Sequence, residues 1–88
     1  MKIQEFLTQE NWTQGQYARD AHGNVCELED ARAEKFCIIG AAQKCYPKGT
    51  EIVLLLLNQD IHGDVLVWND APERTFGQVK SLVERLGV

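Results

Sequence analysis

Cysteine and histidine are the residue types of this chain that are best suited to metal chemistry, and there are three Cys and two His. Both are zinc ligands, but the chain contains no C-x2-C pair and no C-x2-C…H-x3-H array. Cys37 and Cys45 would lie two helical turns apart, too far to share one ion. Free cysteines usually pack as small hydrophobic residues. We therefore predict no metal site and no cofactor.

A cysteine beside a histidine can also act as nucleophile and base, and Cys26 with His22 is the sequence-local candidate pair. Spacing alone provides neither an orienting group nor oxyanion donors beside them. The carboxylates stand in polar contexts that would not raise a pKa for acid–base work, and no glycine-rich phosphate loop occurs. We predict that the chain is not an enzyme and has no catalytic residues.

Two tryptophan-containing blocks hold the other concentration of polar side chains, WTQGQYARD from residue 12 and WNDAPERT from residue 68. In one interpretation they frame a cleft, where indole rings stack a planar or apolar group and amide and guanidinium groups orient it. In the other, the same groups hold the fold together, and Arg19 pairs with Asp70. We favour that pair. The candidate binding residues are Trp12, Gln14, Arg19, Asp20, Trp68, Asn69, Asp70 and Arg74.

Helices are expected to position both blocks. The apolar spacing within residues 2–9 predicts a short amphipathic helix. Asp30 is the expected N-cap of a central helix over about 31–46, whose apolar middle should be buried and which Pro47 should end. Residues 20–24 have Asp first and Gly fourth, which is typical of a tight turn.

The apolar run at 52–57 has no period that separates a buried helix from a buried strand. Leucine favours helix and Thr50 is a suitable cap, so we predict a helix here. In the alternative, this run pairs with residues 65–68 as a hairpin. A capping box of Thr75 and Gln78 predicts the start of a C-terminal helix, which a glycine near the end of the chain should terminate.

These elements predict an all-α fold for residues 1–88: a compact single domain of about four short helices with ordered Trp-containing loops. The alternative is an α+β fold with a hairpin at about 52–68. The hydrophobic fraction of 44% and the charged fraction of 25% are typical of a globular domain with a core.

The charge and hydropathy patterns exclude several classes of partner. The net charge is −4 and the basic residues are scattered, so no basic stripe marks a nucleic-acid binder. No apolar run approaches the ~20 residues of a membrane span, and the N-terminus is too polar for a signal peptide. With an odd number of cysteines, we expect reduced thiols and a cytoplasmic location.

Three segments occur in a fixed order: WTQGQYARD at 12–20, CIIGA at 37–41 and WNDAPERT at 68–75. Together they resemble an uncharacterised family of small bacterial and phage proteins, with coverage from about Trp12 to Leu86. The resemblance implies a helical segment between CIIGA and WND. It also implies that Gly15, Cys37, Gly40 and Thr75 are signature positions together with the candidate residues named above. It carries no activity, although a phage setting would suggest a host-directed or anti-defence factor.

We therefore expect a small non-enzymatic binding module. The leading hypothesis is a protein-interaction or inhibitory factor with an unidentified protein partner. The alternative is a protein that binds a small ligand, a nucleotide or metabolite, in a cleft between the two Trp loops.

Overall fold

Five helices and one two-stranded sheet make up the computed structural model, which describes residues 1–88. In chain order the elements are α1 (Ile3–Phe6), β1 (Ala18–Arg19), β2 (Lys35–Phe36), α2 (Ile38–Cys45), α3 (Thr50–Ile61), α4 (Val65–Asp70) and α5 (Phe76–Leu86). The fold is mainly helical, as predicted, with one helix more than expected and a small antiparallel sheet. No helix has both the length and the apolar character needed to cross a membrane.

Helix α2 is the centre of the core. Residues 36–42 are all buried, and α2 packs against α1, α3 and α4. This burial follows from a run that is apolar on every side, as predicted for the central helix. Helix α5 adds Val79, Leu82 and Val83 to the same cluster of seventeen buried apolar residues.

The central helix begins later than predicted, at residue 38 instead of about 31. Asp30 caps only a local turn, in which its carboxylate accepts a hydrogen bond from the backbone N of Arg32 at 2.8 Å. Strand β2 pairs with β1, which places Phe36 opposite Ala18. The backbone N of Phe36 also donates to the carbonyl of Asn11. Local helix propensity here gives way to hydrogen bonds with the N-terminal half of the chain.

The helical prediction for the apolar run at 52–57 is confirmed, because the run lies within α3. The hairpin proposed at about 52–68 is wrong, since residues 65–68 belong to α4. The α+β alternative is correct only in that an antiparallel pair exists, formed by β1 and β2. Thr50 is not the cap, because Gly49 holds that position and the Thr50 hydroxyl donates to the carbonyl of Tyr46 at 2.6 Å.

The two ends of the chain meet. Helix α1 is a single turn, shorter than the predicted segment 2–9, and the backbone N of Ile3 donates to the carbonyl of Val88. The capping box of α5 is confirmed, with Thr75 and Gln78 bonded in both directions. Gly87 ends that helix in the left-handed conformation, at φ 72°, as glycine commonly does.

Candidate functional site

The two tryptophan blocks meet at the side chain of Asn69, which is fully buried. Its Oδ1 accepts hydrogen bonds from the indole Nε1 of Trp12 at 2.8 Å and from the backbone N of Ile38 at 3.1 Å. Its Nδ2 donates to the carbonyl of Thr13 at 3.3 Å and to Oδ1 of Asp70 at 2.9 Å. Both ends of the amide are therefore occupied by partners within the chain.

The backbone next to Asn69 is held by the same loop. Nε2 of Gln14 donates to the carbonyls of Asn69 and Ala71, both at 2.8 Å. Oδ1 of Asp70 accepts from the backbone N of Gly15 at 2.9 Å. A helix leaves its last carbonyls without partners, and Gln14 satisfies two carbonyls at the end of α4. We call residues 12–15 together with residues 69–71 the amide junction.

The CIIGA segment reaches the amide junction through Ile38. Cys37 is the N-cap of α2, and its sulfur accepts from the backbone N of Gly40 at 3.4 Å. A Cβ atom on Gly40 would lie 2.4 Å from the carbonyl oxygen of Tyr17, so this position has no room for a side chain. Asn69 thus lies in one of the three sequence segments and bonds directly to the other two.

The expected pair between Arg19 and Asp70 is wrong. Nε of Arg19 donates to the hydroxyl of Thr13, and its two terminal nitrogens donate to the carbonyls of Gly23 and Gln14, each at 3.1 Å. A guanidinium group offers five donors in a fixed fork, which suits several oxygens of one loop. Arg19 therefore closes the first tryptophan block on itself, while Asp70 is taken up by the amide junction.

Asp20 organises the turn at residues 20–24, which has the tight form predicted. One carboxylate oxygen accepts from the backbone N of His22 and of Asn24, both at 2.9 Å. These bonds, the one from Asn24 foremost, lower the pKa of Asp20 below its ordinary value. The backbone N of Gly23 donates to the carbonyl of Asp20 at 3.0 Å and closes the turn.

Both indole rings have partners inside the protein. The guanidinium carbon of Arg74 lies 3.9 Å from the ring centroid of Trp68, a cation–π distance. Nε of Arg74 also donates to the carbonyl of Trp68 at 2.8 Å, and a terminal nitrogen donates to Gln78 at 3.1 Å. The ring of Trp12 packs against Phe76 with centroids 6.2 Å apart. The candidate binding residues are thus bonded or packed to one another and to their neighbours.

The pKa values of all three cysteine thiols are raised above the ordinary value. Burial raises the pKa of Cys37 and of Cys45, and desolvation together with the carboxylate of Asp30 raises the pKa of Cys26. All three are free. A nucleophilic cysteine needs the opposite shift, toward the thiolate. No group of three or more His, Cys, Asp or Glu side chains is arranged to hold a metal ion.

Helix α3 exposes an apolar face that was expected to lie in the core. Ile52, Leu55 and Leu56 are 68%, 56% and 42% exposed, whereas Val53 and Leu57 are buried. Residues three and four apart share a side of a helix, so the exposed three form one stripe. In a run of six apolar residues, no polar position marks which side faces water. The sequence contained no signal for this face.

The polar residue Gln59 lies on the same side of the helix one turn later and is also exposed. We call Ile52, Leu55, Leu56 and Gln59 the outer face of α3. Val67 on the next helix, α4, is also exposed, at 69%. A surface cavity of about 840 Å³ borders the start of α3 at Thr50, Glu51 and Leu54, and another of about 520 Å³ lies beside Cys26. No residue of the amide junction lines either one.

The geometry defines a small, mainly helical domain in which three sequence segments are joined at one buried amide. The chain belongs to a family of unknown function, DUF6197, whose family model matches residues 2–87. The expected membership of an uncharacterised family is confirmed at that level. Neither the comparison with curated proteins nor the comparison with solved structures gave a match.

Proposed function

We propose that this protein is a non-enzymatic protein-binding domain whose partner docks on the outer face of α3. The observation that carries the proposal is the exposure of Ile52, Leu55 and Leu56 on one side of α3. Single exposed apolar residues are common on monomers, but a grouped apolar patch marks an interaction site.

The fold does not need these side chains for its own core. Helix α3 is already anchored by the buried residues Val53 and Leu57 on its opposite side. Its C-terminal end is tied to α5 by the ion pair of Asp60 with Arg85. Burying the outer face against a partner would yield about 25 cal/mol per Å² of apolar surface removed from water. Apolar anchors at i, i+3 and i+4 are the usual means by which a helix recognises a protein groove or another helix.

Binding rather than catalysis is supported by the state of the polar groups. The amides and carboxylate of the amide junction are bonded to each other, so a substrate or small ligand between the Trp loops would have to replace those bonds. The raised pKa values of the thiols disfavour the thiolate form that a nucleophilic cysteine needs. The outer face of α3 has no such internal use.

The test is site-specific photocrosslinking in cells, with a benzophenone side chain introduced at Ile52 and, as a control, at the exposed Ser81 of α5. We expect protein adducts from position 52 and none from position 81. Adding Leu55→Glu should abolish the adduct at 52, because it places a charge in the docking surface. The matched variant Ser81→Glu adds the same charge elsewhere and should leave the adduct unchanged. Absence of an adduct at 52, or equal adducts at both positions, would overturn the proposal.

A further inference from the structure

The small sheet in the N-terminal half of the chain has one open edge. On one side, β2 is covered by residues 11–13, which form two backbone hydrogen bonds with Phe36. On the other side, β1 pairs with residues 24–26 through an antiparallel bridge between Arg19 and Val25. No further segment of the chain pairs with the far side of residues 24–26, so the sheet ends there. We call this side the open edge.

The backbone of Val25 faces the open edge. The two hydrogen bonds that join this segment to β1 are made by the neighbouring residues Asn24 and Cys26. In an antiparallel pair, the residue between two such bonds directs its own N–H and C=O away from the partner strand. Neither backbone group of Val25 has a hydrogen-bond partner within the chain, and the residue is 59% exposed. Free backbone groups at a sheet edge are a template for a further strand.

A cavity next to the open edge offers room for a side chain of such a strand. It is the cavity of about 520 Å³, and its lining includes Tyr17, Glu27 and Glu29 together with Val25 and Cys26 of the edge. Tyr17 is 48% exposed. A guanidinium group can stack on an aromatic ring and also form paired hydrogen bonds with a carboxylate. This set of side chains therefore suits an arginine.

The free charges at the open edge are negative. Glu27 and Glu29 are exposed and have no ion-pair partner within the chain. The two arginines nearby are already engaged, Arg32 by an ion pair with a neighbouring aspartate and Arg19 by oxygens of its own loop. Burial foremost, and after it the charges of three carboxylates, raise the pKa of the Cys26 thiol at this edge. Such an edge attracts a basic segment and repels a second copy of itself.

We propose that the open edge binds an extended, arginine-containing segment of a partner protein as an additional strand. Backbone hydrogen bonds to Val25 provide the strand pairing, and the cavity beside Tyr17 receives the arginine, whose charge is met by Glu27 and Glu29. The contact is short, so we expect a dissociation constant of roughly 1 to 100 µM. This docking site is separate from the outer face of α3 and does not depend on it.

Selection of short random peptides by phage display provides the probe. The bait is the Leu55→Glu chain, because its altered outer face of α3 should not retain peptides of its own. We expect the enriched sequences to carry an arginine, and a synthetic peptide of that sequence to bind the parent chain in calorimetric titration. Replacing the arginine with glutamate should weaken binding at least about tenfold. Raising the salt concentration from about 0.05 to 0.5 M should also weaken binding, because the charges are exposed.

Variants of the open edge test the two parts of the site with the same synthetic peptide. Val25→Pro removes the outward N–H and takes no hydrogen bond from the fold, so it should weaken binding at least about tenfold while the chain still folds. The double variant Glu27→Gln with Glu29→Gln removes the free charges and should weaken binding at least about threefold. The exposed Glu84 of α5, changed to Gln, is the matched control and should leave binding unchanged.

Amide hydrogen exchange on the parent chain tests the strand pairing without any substitution. The Val25 amide should exchange rapidly in the free chain and at least about tenfold more slowly with the peptide bound. The proposal would be overturned by a selection that enriches no peptide, by enriched peptides without an arginine, or by binding that leaves the exchange of Val25 unchanged. The photocrosslinking at position 52 reports on the outer face of α3 alone, so the two docking sites can fail independently.

Discussion

The amide junction and the outer face of α3 invert the usual distribution of polar and apolar residues. In the junction, the polar side chain of Asn69 is completely buried. On the face, three large aliphatic residues are exposed. Residue type alone would have placed each of them on the other side of the protein surface. The difference teaches that burial of a polar group depends on its partners, and exposure of an apolar group depends on whether the core has room for it.

The junction tolerates burial because its hydrogen bonds are complete. No buried side-chain nitrogen or oxygen of the protein lacks a partner. A buried amide without partners would be costly, whereas a satisfied one fixes a single arrangement of the segments it joins. The face has no comparable internal partners, since the inward side of α3 already fills the core with Val53 and Leu57. One region therefore specifies the fold, and the other is available for binding.

The largest expected effect on stability comes from a substitution that breaks the amide junction. Asn69→Ala leaves the backbone N of Ile38 and the indole N–H of Trp12 without their acceptor. Each unsatisfied buried group costs about 1–3 kcal/mol, so we expect a loss of about 3–5 kcal/mol in the free energy of unfolding. Urea unfolding measures it. The exposed Asn24, changed to Ala, is the control and should cost less than Asn69→Ala. A loss below about 1 kcal/mol at Asn69 would show that the junction does not hold the fold.

The second prediction compares the two sides of α3 with one type of substitution. Leu57→Ala creates a cavity at a fully buried position and should cost about 2–5 kcal/mol. Leu55→Ala, two residues earlier and 56% exposed, should change stability by no more than about 0.5 kcal/mol. Thermal or urea unfolding is measured at about 1 µM, because association would stabilise the folded state at higher concentration. Equal losses at the two positions would mean that the face belongs to the core.

The smallest effect is that of acid, which acts on exposed ion pairs such as the one at the end of α3. Hydrogen bonding to Arg85 lowers the pKa of Asp60, and hydrogen bonding to Arg32 lowers the pKa of Asp30 to about 2. A lowered folded-state pKa adds stability above the unfolded value of about 3.9, and this is lost as the pH falls through the folded value. We expect the melting temperature to fall modestly below about pH 4.

Asp60→Asn removes one of these titrating groups and should flatten that fall. Asp30→Asn removes the other, which lies in a loop outside both regions, and should flatten it more, because the pKa of Asp30 is lowered further. Thermal unfolding between about pH 2 and 7 measures both slopes. An unchanged slope in both variants would show that other carboxylates control the acid response.

Several elements were predictable because their determining contacts are local. The capping box joins Thr75 and Gln78, which are three positions apart. The turn joins Asp20 and Asn24, which are four positions apart, and the helix over 52–57 depends on the propensity of consecutive leucines. The start of α2 was not predictable, because residues 35 and 36 bond to partners far away in sequence.

The sequence by itself determined the helix over 52–57, the capped start of the C-terminal helix and the Asp20 turn, and which three segments hold the polar signature. Only the tertiary structure decided that Asn69 joins them, across 57 residues to Trp12 and 31 residues to Ile38. It also decided that Arg19 forms its hydrogen bonds within its own loop, and that Leu55 and Leu56 of α3 are exposed to solvent. Local hydrogen bonds and propensities are encoded over three or four neighbouring residues. The partner of a buried amide and the outward side of an apolar helix depend on how all the elements pack together.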